Sequence, residues 1–505
     1  MKVVTPSEMA EIDRKAQKDF GISPLILMED AGMAASVLCM EEAKRLGVKS
    51  ITVFCGPGNN GGDGLVVARA LYLTGFSVRL YLIEKRTQTE ERRVNLNIAK
   101  SLRIPIIERL EDAEADLLVD ALLGTGISKP PSAEIARCIE FINKKQSFVV
   151  SLDIPSGLCG ERGVPLGSAV MADITITFGL PKIGLLIYPG ANFTGRLVCA
   201  KISFPDQLIS DPAIKTNLLT EKEMVTLLPE RPSDVYKSQC GKVMVVAGSL
   251  GMTGAAILCS KSALAMGAGL SYLCIPESLN TVVEASALEV ITKPLPETKR
   301  RTLSPSAYNG IVNLAKDCDV AVIGPGISRH IETKKLIRRL VERLEIPIVL
   351  DADGLYSIDD LSLLKGKDMV ITPHPGEMAQ LLGISVNEVQ ADRIGVTRRL
   401  SEELGIVVIL KGARSIIAEN GEVWINTTGA SGMATAGAGD VLSGMVGALI
   451  GQGLSLSEAS CLATFLHGLS GETAEEEETM YSLSATSLIA YLPYAIKKVS
   501  TLISG

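Results

Sequence analysis

Two successive α/β domains, each built on a mostly parallel sheet, are predicted by three features of this sequence. Strand-like runs alternate with helix-spaced segments in both halves, glycine-rich loops follow many of those runs, and one polar stretch interrupts the alternation. In the first half, residues 51–55, 77–83, 117–122, 148–154 and 174–178 are β-rich, and residues 65–72 and 89–102 have helical spacing. This order favours a parallel sheet with helices on both faces, a three-layer Rossmann-like arrangement whose ligand loops lie at the carboxyl ends of the strands. The pattern lapses over residues 206–216, a helix-like segment follows at 220–228, and the domain boundary is placed near Asp211, giving domains 1–211 and 212–505. Strand–helix alternation restarts at 242–246 and continues through 319–323, 346–350, 369–372 and 407–410.

Bulk composition narrows the function. The 505 residues exceed what one core usually serves, and 47% hydrophobic with 21% charged residues excludes a disordered or collagen-like chain. Forty-seven glycines against 4% aromatics suit backbone loops rather than stacking platforms. A net charge of -7 gives no electrostatic reason to bind nucleic acid, so any phosphate must be held by local amides and a few basic side chains. The ten cysteines include no CxxC pair and sit mostly in apolar runs, as buried free thiols of a reducing compartment do. The first residues lack the apolar core of a secretion signal. One of the two longest charge-free stretches, residues 243–260, is broken by Gly248, Gly251 and Gly254, and reads as a buried strand followed by a loop. A cytoplasmic protein without a membrane span is expected.

In the first half, Gly56-Pro57-Gly58-Asn59-Asn60-Gly61-Gly62-Asp63-Gly64 follows a strand and opens a helix. Gly56, Gly58 and Gly61 satisfy GxGxxG, and Glu84 lies about where a ribose-binding acid would. Pro57 and the paired asparagines are unusual in a dinucleotide turn, and a simple tight turn is the plain alternative. Two more strands end in acids before glycine loops: Asp120 before Gly124-Thr125-Gly126, and Asp153 before Pro155-Ser156-Gly157. Singly each acid reads equally well as a helix cap or turn residue; together, on one parallel sheet, they share a rim.

In the second half, Gly432 to Asp440 contains Ala436-Gly437-Ala438-Gly439-Asp440 and enters a helix at Val441. Small residues let the backbone approach a phosphate, and the helix start aims unpaired N–H groups at it. Asp440 beside that anion hole can accept a proton from an attacking hydroxyl; a helix start capped by aspartate is the bland alternative. Gly324-Pro325-Gly326, Asp351-Ala352-Asp353-Gly354, Thr372-Pro373-His374-Pro375-Gly376-Glu377 and Lys411-Gly412-Ala413-Arg414-Ser415 each follow a strand and share the rim. His374, one of three histidines, is held between prolines and suits ligand contact, whereas His330 and His467 read as surface and helix-packing residues. Lys411 suits a nucleotide phosphate or, equally, solvent. GxxxxGK[ST] does not occur.

These motifs in this order resemble the bifunctional NAD(P)H-hydrate repair enzymes over nearly the whole chain. The first half resembles the epimerase domain, and the second the ADP- or ATP-dependent dehydratase, with a ribokinase-like α/β fold. The resemblance implies that Asn60, Asp120 and Ser156 surround a potassium ion. It also implies that Asn59, Asn60, Gly61, Gly62, Asp63, the loop Gly124, Thr125, Gly126, Ile127, Ser128, Lys129 and Pro130, and Asp153 hold the hydrated nicotinamide nucleotide. In the second domain it implies that Ala255, Gly326, His374 and Asp440 meet the hydrate. Lys411, Gly412, Ala413, Arg414, Ser415 and Gly439 would bind ADP or ATP, with magnesium. Asp153 and Asp440 are the implied catalytic residues, and a homo-oligomer, a tetramer or larger, is implied too. Three positions depart from the family's pattern: Tyr236-Lys237 for His-Lys, Ser328 where glycine is usual, and Ala430-Ser431 in place of an asparagine-containing turn.

The implied chemistry is epimerisation of hydrated NAD(P)H and nucleotide-driven dehydration of its S form through a phosphorylated intermediate. Three rivals share some motifs: a vitamin-precursor kinase with an accessory domain, a nicotinamide-dependent dehydrogenase on residues 51–84, and a non-enzymatic nucleotide sensor in the first half.

Overall fold

The computed structural model describes residues 1–84 and 88–501. The chain divides into two compact units, Lys2–Lys215 and Thr216–Gly505 with Met1, the break falling at the end of the polar stretch.

The first unit carries β1 (Ser50–Cys55), β2 (Ser77–Leu82), β3 (Ile106–Ile107), β4 (Leu117–Ala121), β5 (Phe148–Leu152), β6 (Ile174–Phe178) and β7 (Arg196–Ala200). They form a seven-stranded, wholly parallel sheet in the order β3-β2-β1-β4-β5-β6-β7. Its principal helices are α1 (Pro6–Phe20), α2 (Pro24–Leu46), α3 (Asn59–Leu73), α4 (Glu90–Ser101) and α5 (Ala133–Lys144). Successive side chains of a strand face opposite sides, so Ile51, Val53 and Cys55 pack with α2, α3 and α4, while Phe54 and Leu118 pack on α5. The direction of strand order reverses between β1 and β4, which opens a crevice outside their carboxyl ends. Helices α1 and α2 lay outside the expected pattern, although their caps were present. Thr5 and Glu8 form a capping box and Gly21 a left-handed stop, while Ser23, Pro24 and Gly47 do the same work for α2.

The second unit carries β8 (Thr216–Leu218), β9 (Lys242–Val246), β10 (Leu270–Pro276), β11 (Ile291–Leu295), β12 (Val320–Ile323), β13 (Ile348–Leu350), β14 (Met369–Ile371), β15 (Val407–Leu410), β16 (Ile416–Glu419) and β17 (Glu422–Ile425). Their order is β8-β17-β16-β15-β14-β13-β12-β9-β10-β11. From β11 to β15 neighbours are parallel, and β15, β16 and β17 run antiparallel. The β16–β17 hairpin turns on Asn420-Gly421, both at positive φ, the pairing such turns need. The helices that matter here are α6 (Thr253–Ala265), α7 (Ile331–Arg343), α8 (Pro375–Leu382), α9 (Arg393–Leu404), α10 (Ala438–Gly451), α11 (Leu456–Glu477) and α12 (Ala485–Ser500). One core packs Val243 and Val245 of β9 against α6, α10, α11 and α12.

One expectation is corrected. Residues 243–260 are not a strand followed only by a loop, because α6 begins at Thr253. Several of its residues, among them Ala256, Cys259, Ser260 and Ala263, are buried, so no polar stripe marks it as a helix. All ten cysteines are free and most are buried. Among the described residues no helix is long and apolar enough to cross a membrane.

Candidate active sites

In the first unit β1 leads through Gly56 and Gly58 into the first turn of α3, Asn59-Asn60-Gly61-Gly62-Asp63. A Cβ on Gly56 would collide with the Leu122 carbonyl, and one on Gly61 with the Gly56 carbonyl, so the turn closes only with glycine at both. Buried Arg92 braces it, donating through Nε to the Gly56 carbonyl at 2.7 Å. At the end of β4, Asp120 is fully buried. It accepts from Ser151 Oγ at 2.8 Å, the Ser156 amide at 2.9 Å, Ser156 Oγ at 2.6 Å and the Leu122 amide at 3.2 Å. Burial raises its pKa, and these donors oppose the rise. Asn60 donates its amide to the Leu123 carbonyl at 2.9 Å, the Leu123 amide donates to Ser156 Oγ at 2.8 Å, and Asn60 Oδ1 is buried without a partner. Asn60 from the first turn of α3, Asp120 from the end of β4 and Ser156 from the loop after β5 thus meet around Leu122 and Leu123.

Beside them lies a cavity of about 600 Å³, lined by Asn59, Asn60, Asp63, Gly124, Thr125, Gly126, Ile127 and Asp153 among the residues named from the sequence. Gly61 and Gly62 sit behind it in the first turn of α3, and Ser128, Lys129 and Pro130 continue the loop as exposed residues. Neither Asp120 nor Asp153 caps a helix. Asp120 closes β4, and Asp153 follows β5 at a φ of 64°, a left-handed conformation that aspartate tolerates better than most side chains.

Two charged residues of this cavity escaped the sequence reading. Lys182, 1% exposed, donates from Nζ to Asp153 Oδ1 at 2.6 Å, Thr177 Oγ1 at 3.0 Å and the Phe178 carbonyl at 3.1 Å. Asp13, from α1, also lines the cavity; burial, followed by the Asp153 charge, pushes its pKa up to about 6 against the pull of Lys182. Burial raises Asp63 well above the usual carboxylate range, and Asp153 and Asp13 add to that. The lysine had a signal, since it lies just beyond the end of β6 on the same rim. The aspartate, inside an ordinary amphipathic helix, had none.

In the second unit Gly437, at a φ of 92°, is the residue that caps α10, so Asp440 is not the cap but the third helical residue. Burial raises the Asp440 pKa to about 7, with Asp351 adding, Lys411 opposing, and Asp353 and Glu377 adding again. Buried Asp351 organises the floor. It accepts from Lys411 Nζ at 2.6 Å, Thr372 Oγ1 at 2.6 Å and Ser443 Oγ at 2.5 Å. Ser443 Oγ also lies 3.0 Å from the Gly439 carbonyl, which shares its one hydroxyl hydrogen and ties this floor to the glycine turn. Burial works against the charge of Lys411, but Asp351 and Glu377 outweigh it, so its pKa is raised. A side chain on Gly439 would sit 3.2 Å from Lys411 Nζ.

The other loops reach the same end of the sheet. His374 caps α8, its Nδ1 accepting from the Gly376 amide at 3.0 Å and the Glu377 amide at 3.3 Å, which leaves Nε2 as the protonated nitrogen of the neutral ring. Gly326, at a φ of 59°, lies against Met252 and Ala255, so a Cβ there would stand 3.0 Å from that of Ala255. Ser328 takes a φ of 77°, the glycine-like conformation expected at its position, and its amide donates to Asp353 at 3.1 Å. Gly412 and Arg414, at φ values of 140° and 60°, curl the loop after β15, and Ser415 Oγ donates to the Gly412 carbonyl at 3.1 Å. Tyr236 is exposed. The turn at Ala430-Ser431 is held from α11, with Glu472 accepting from the Gly429 amide at 2.9 Å and Glu475 from the Gly432 amide at 2.8 Å. His467 is buried and bonds the Ala438 carbonyl at 2.9 Å; burial lowers its pKa to about 4, so it braces α10 as a neutral ring.

Comparison with known proteins agrees with both halves. Residues 243–494 match the family described as NAD(P)H-hydrate dehydratase, and residues 24–184 match the YjeF-related protein N-terminus. A bifunctional NAD(P)H-hydrate repair enzyme of Moorella thermoacetica is 38% identical over 99% of this chain and 97% of its own length. One from Thermofilum pendens is 39% identical over 98% of this chain and 96% of its own. Among solved structures, a ribokinase-like superfamily protein of Enterococcus faecalis superposes with a TM-score of 0.51 at 24% identity, covering 57% of this chain and 97% of that one, and carries the fold alone. The chain therefore belongs to the bifunctional NAD(P)H-hydrate repair enzymes, which join an epimerase and a dehydratase in one polypeptide.

Proposed function

We propose that the first-unit cavity interconverts the R and S forms of hydrated NADH or NADPH, and that the second-unit turn dehydrates the S form with ADP or ATP. The hydrate bears a hydroxyl on the carbon beside the ring nitrogen. Hydroxide leaves poorly, and phosphorylation converts it to a better leaving group. Asp440 takes the hydroxyl proton as the oxygen attacks the nucleotide's terminal phosphorus. Amides at the start of α10 and the Lys411 ammonium stabilise charge on the phosphoryl group in transfer. The ring nitrogen's lone pair then expels phosphate, and loss of a proton from the next ring carbon restores the double bond. Ala255, Gly326 and His374 would hold the hydrate, and Lys411, Gly412, Ala413, Arg414, Ser415 and Gly439 the adenine nucleotide. The observation that carries this reading is the setting of Asp440, a base held near neutrality in the first turn of α10 among Asp351, Asp353, Glu377 and Lys411.

Potassium fits the first unit. Asn60 Oδ1 is a buried oxygen without a partner, beside Leu123 and close to the Asp120–Ser156 pair, and a hard monovalent cation takes such oxygens. Bound there, it would add positive charge at the carboxyl ends of β1 and β4. Magnesium usually keeps water and phosphate oxygens and adds one or two carboxylates. Asp351 and Glu377, the carboxylates nearest Lys411, would supply them. Homo-oligomeric assembly and a cytoplasmic location complete the proposal, the free thiols suiting a reducing compartment.

The test uses purified hydrates of NADH and NADPH with ADP or ATP, following return of the dihydronicotinamide absorbance. Asp440→Asn should abolish nucleotide-driven recovery while interconversion of the epimers continues. Loss of both activities together in a folded protein would refute the division of labour.

A further inference from the structure

Inverting a carbon by loss and return of its hydroxyl requires a proton to be delivered on one face of the ring and removed on the other. A single carboxylate on one wall serves one face. The first-unit cavity holds carboxylates on separate elements: Asp13 on α1, Asp63 on α3 and Asp153 after β5, with Lys182 after β6. The ammonium of Lys182 spends its donors on Asp153, Thr177 and the Phe178 carbonyl, and so has none left for Asp13 or Asp63. One cation among three carboxylates thus pairs with Asp153, and leaves Asp13 and Asp63 without an ammonium hydrogen bond from Lys182.

We propose that epimerisation is a two-carboxylate relay in which Asp13 protonates the departing hydroxyl on one face and Asp153 takes a proton from the water that adds on the other. This rests on the reading that the cavity receives the hydrate. In the forward step the Asp13 O–H proton passes to the substrate oxygen, the C–O bond breaks with its electron pair leaving on water, and the ring nitrogen's lone pair forms the iminium bond. Water then adds to the same carbon from the opposite face, its electron pair forming the new C–O bond as the electrons of the N=C π bond return to nitrogen. Its extra proton goes to Asp153. One proton has moved from Asp13 to Asp153, and exchange with solvent returns the site to its starting state. The reverse reaction runs with the two roles exchanged. The charged groups acting on Asp13 are Asp153 and Lys182, with Asp63 facing it from α3.

The test follows conversion of the purified R hydrate to S by chiral separation, without ADP or ATP, in the full chain. Asp13→Asn should lower kcat about 100-fold or more with KM nearly unchanged, and Asp13→Glu should recover part of it. Wild-type turnover that needs Asp13 protonated should decline as pH rises through about 6, and the residual turnover of the asparagine variant should lack that limb. Dehydration of the S hydrate by the same variant should stay at the wild-type rate. If Asp13→Asn turns over within threefold of wild type while Asp153→Asn does not, the relay is refuted. A fall in kcat with the pH limb unmoved refutes it too and makes Asp13 a positioning residue. If both variants epimerise normally, the cavity itself is not the site.

Discussion

Dehydration should switch on with the ionisation of Asp440. Its pKa of about 7 arises mainly from burial, with the Asp351 charge next and Lys411 opposing. A group with that pKa is about one-tenth ionised at pH 6, half at pH 7 and nine-tenths at pH 8. Turnover of the S hydrate under saturating ADP should therefore rise roughly tenfold from pH 6 to pH 8 and then level off. Asp440→Asn removes the base and should cost about 100-fold or more at pH 8, and with no acid limb left its deficit should narrow as pH falls. Asp353→Asn removes a raising charge and should move the limb to lower pH, whereas Lys411→Met removes the opposing cation and should move it higher. Stability carries its own sign. Because the folded pKa lies above the unfolded value near 3.8, ionising Asp440 costs stability as pH rises between those values. Asp440→Asn should thus be more stable than wild type at pH 8, by on the order of 2 kcal/mol, and nearly equal at pH 4. The assay is dihydronicotinamide absorbance across pH, with urea unfolding alongside. A flat wild-type profile between pH 6 and 8, or an asparagine variant that is folded and retains a tenth of the activity, would refute the assignment.

Lys182→Met leaves Asp153 without its cation in a buried site, and should cost about 3 kcal/mol of stability and most of the epimerase rate, with dehydration spared. Gly56→Ala forces a Cβ into the Leu122 carbonyl, and urea unfolding of the first unit should shift by at least about 2 kcal/mol. Exchanging potassium for a bulky organic cation should slow epimerisation but not dehydration, and Asn60→Ala should remove that sensitivity. Ser443→Ala breaks the link from Asp351 to the Gly439 carbonyl and should lower dehydratase kcat about tenfold, with unfolding changed by roughly 1 kcal/mol.

Much of the fold was legible because parallel strands buried on both faces are short apolar runs, and each of those expected in the first half forms near its place. Buried helices were less legible. In α6 and α11 apolar and small residues run around the whole circumference, so no stripe distinguishes helix from strand. The antiparallel β16–β17 pair had its Asn420-Gly421 turn in plain view and still escaped a reading attuned to parallel order. The glycine loops and strand-end acids Asp120, Asp153 and Asp440 were legible because their residue types and spacing are local properties.

By itself the chain order determined two α/β units, the loops at the carboxyl ends of their strands and the family to which they belong. Those are set by hydrophobic periodicity and by turns that only glycine can make. Tertiary structure alone decided the charge states. Asp13 and Lys182 lie 169 residues apart, and only folding brings α1 and the end of β6 to one cavity. There, loss of water lifts one carboxylate to about 6 and leaves its neighbour paired with a lysine. The same holds for Asp440, whose poise near neutrality comes from burial among four charges supplied by three other loops, a sum over distances that no local pattern encodes.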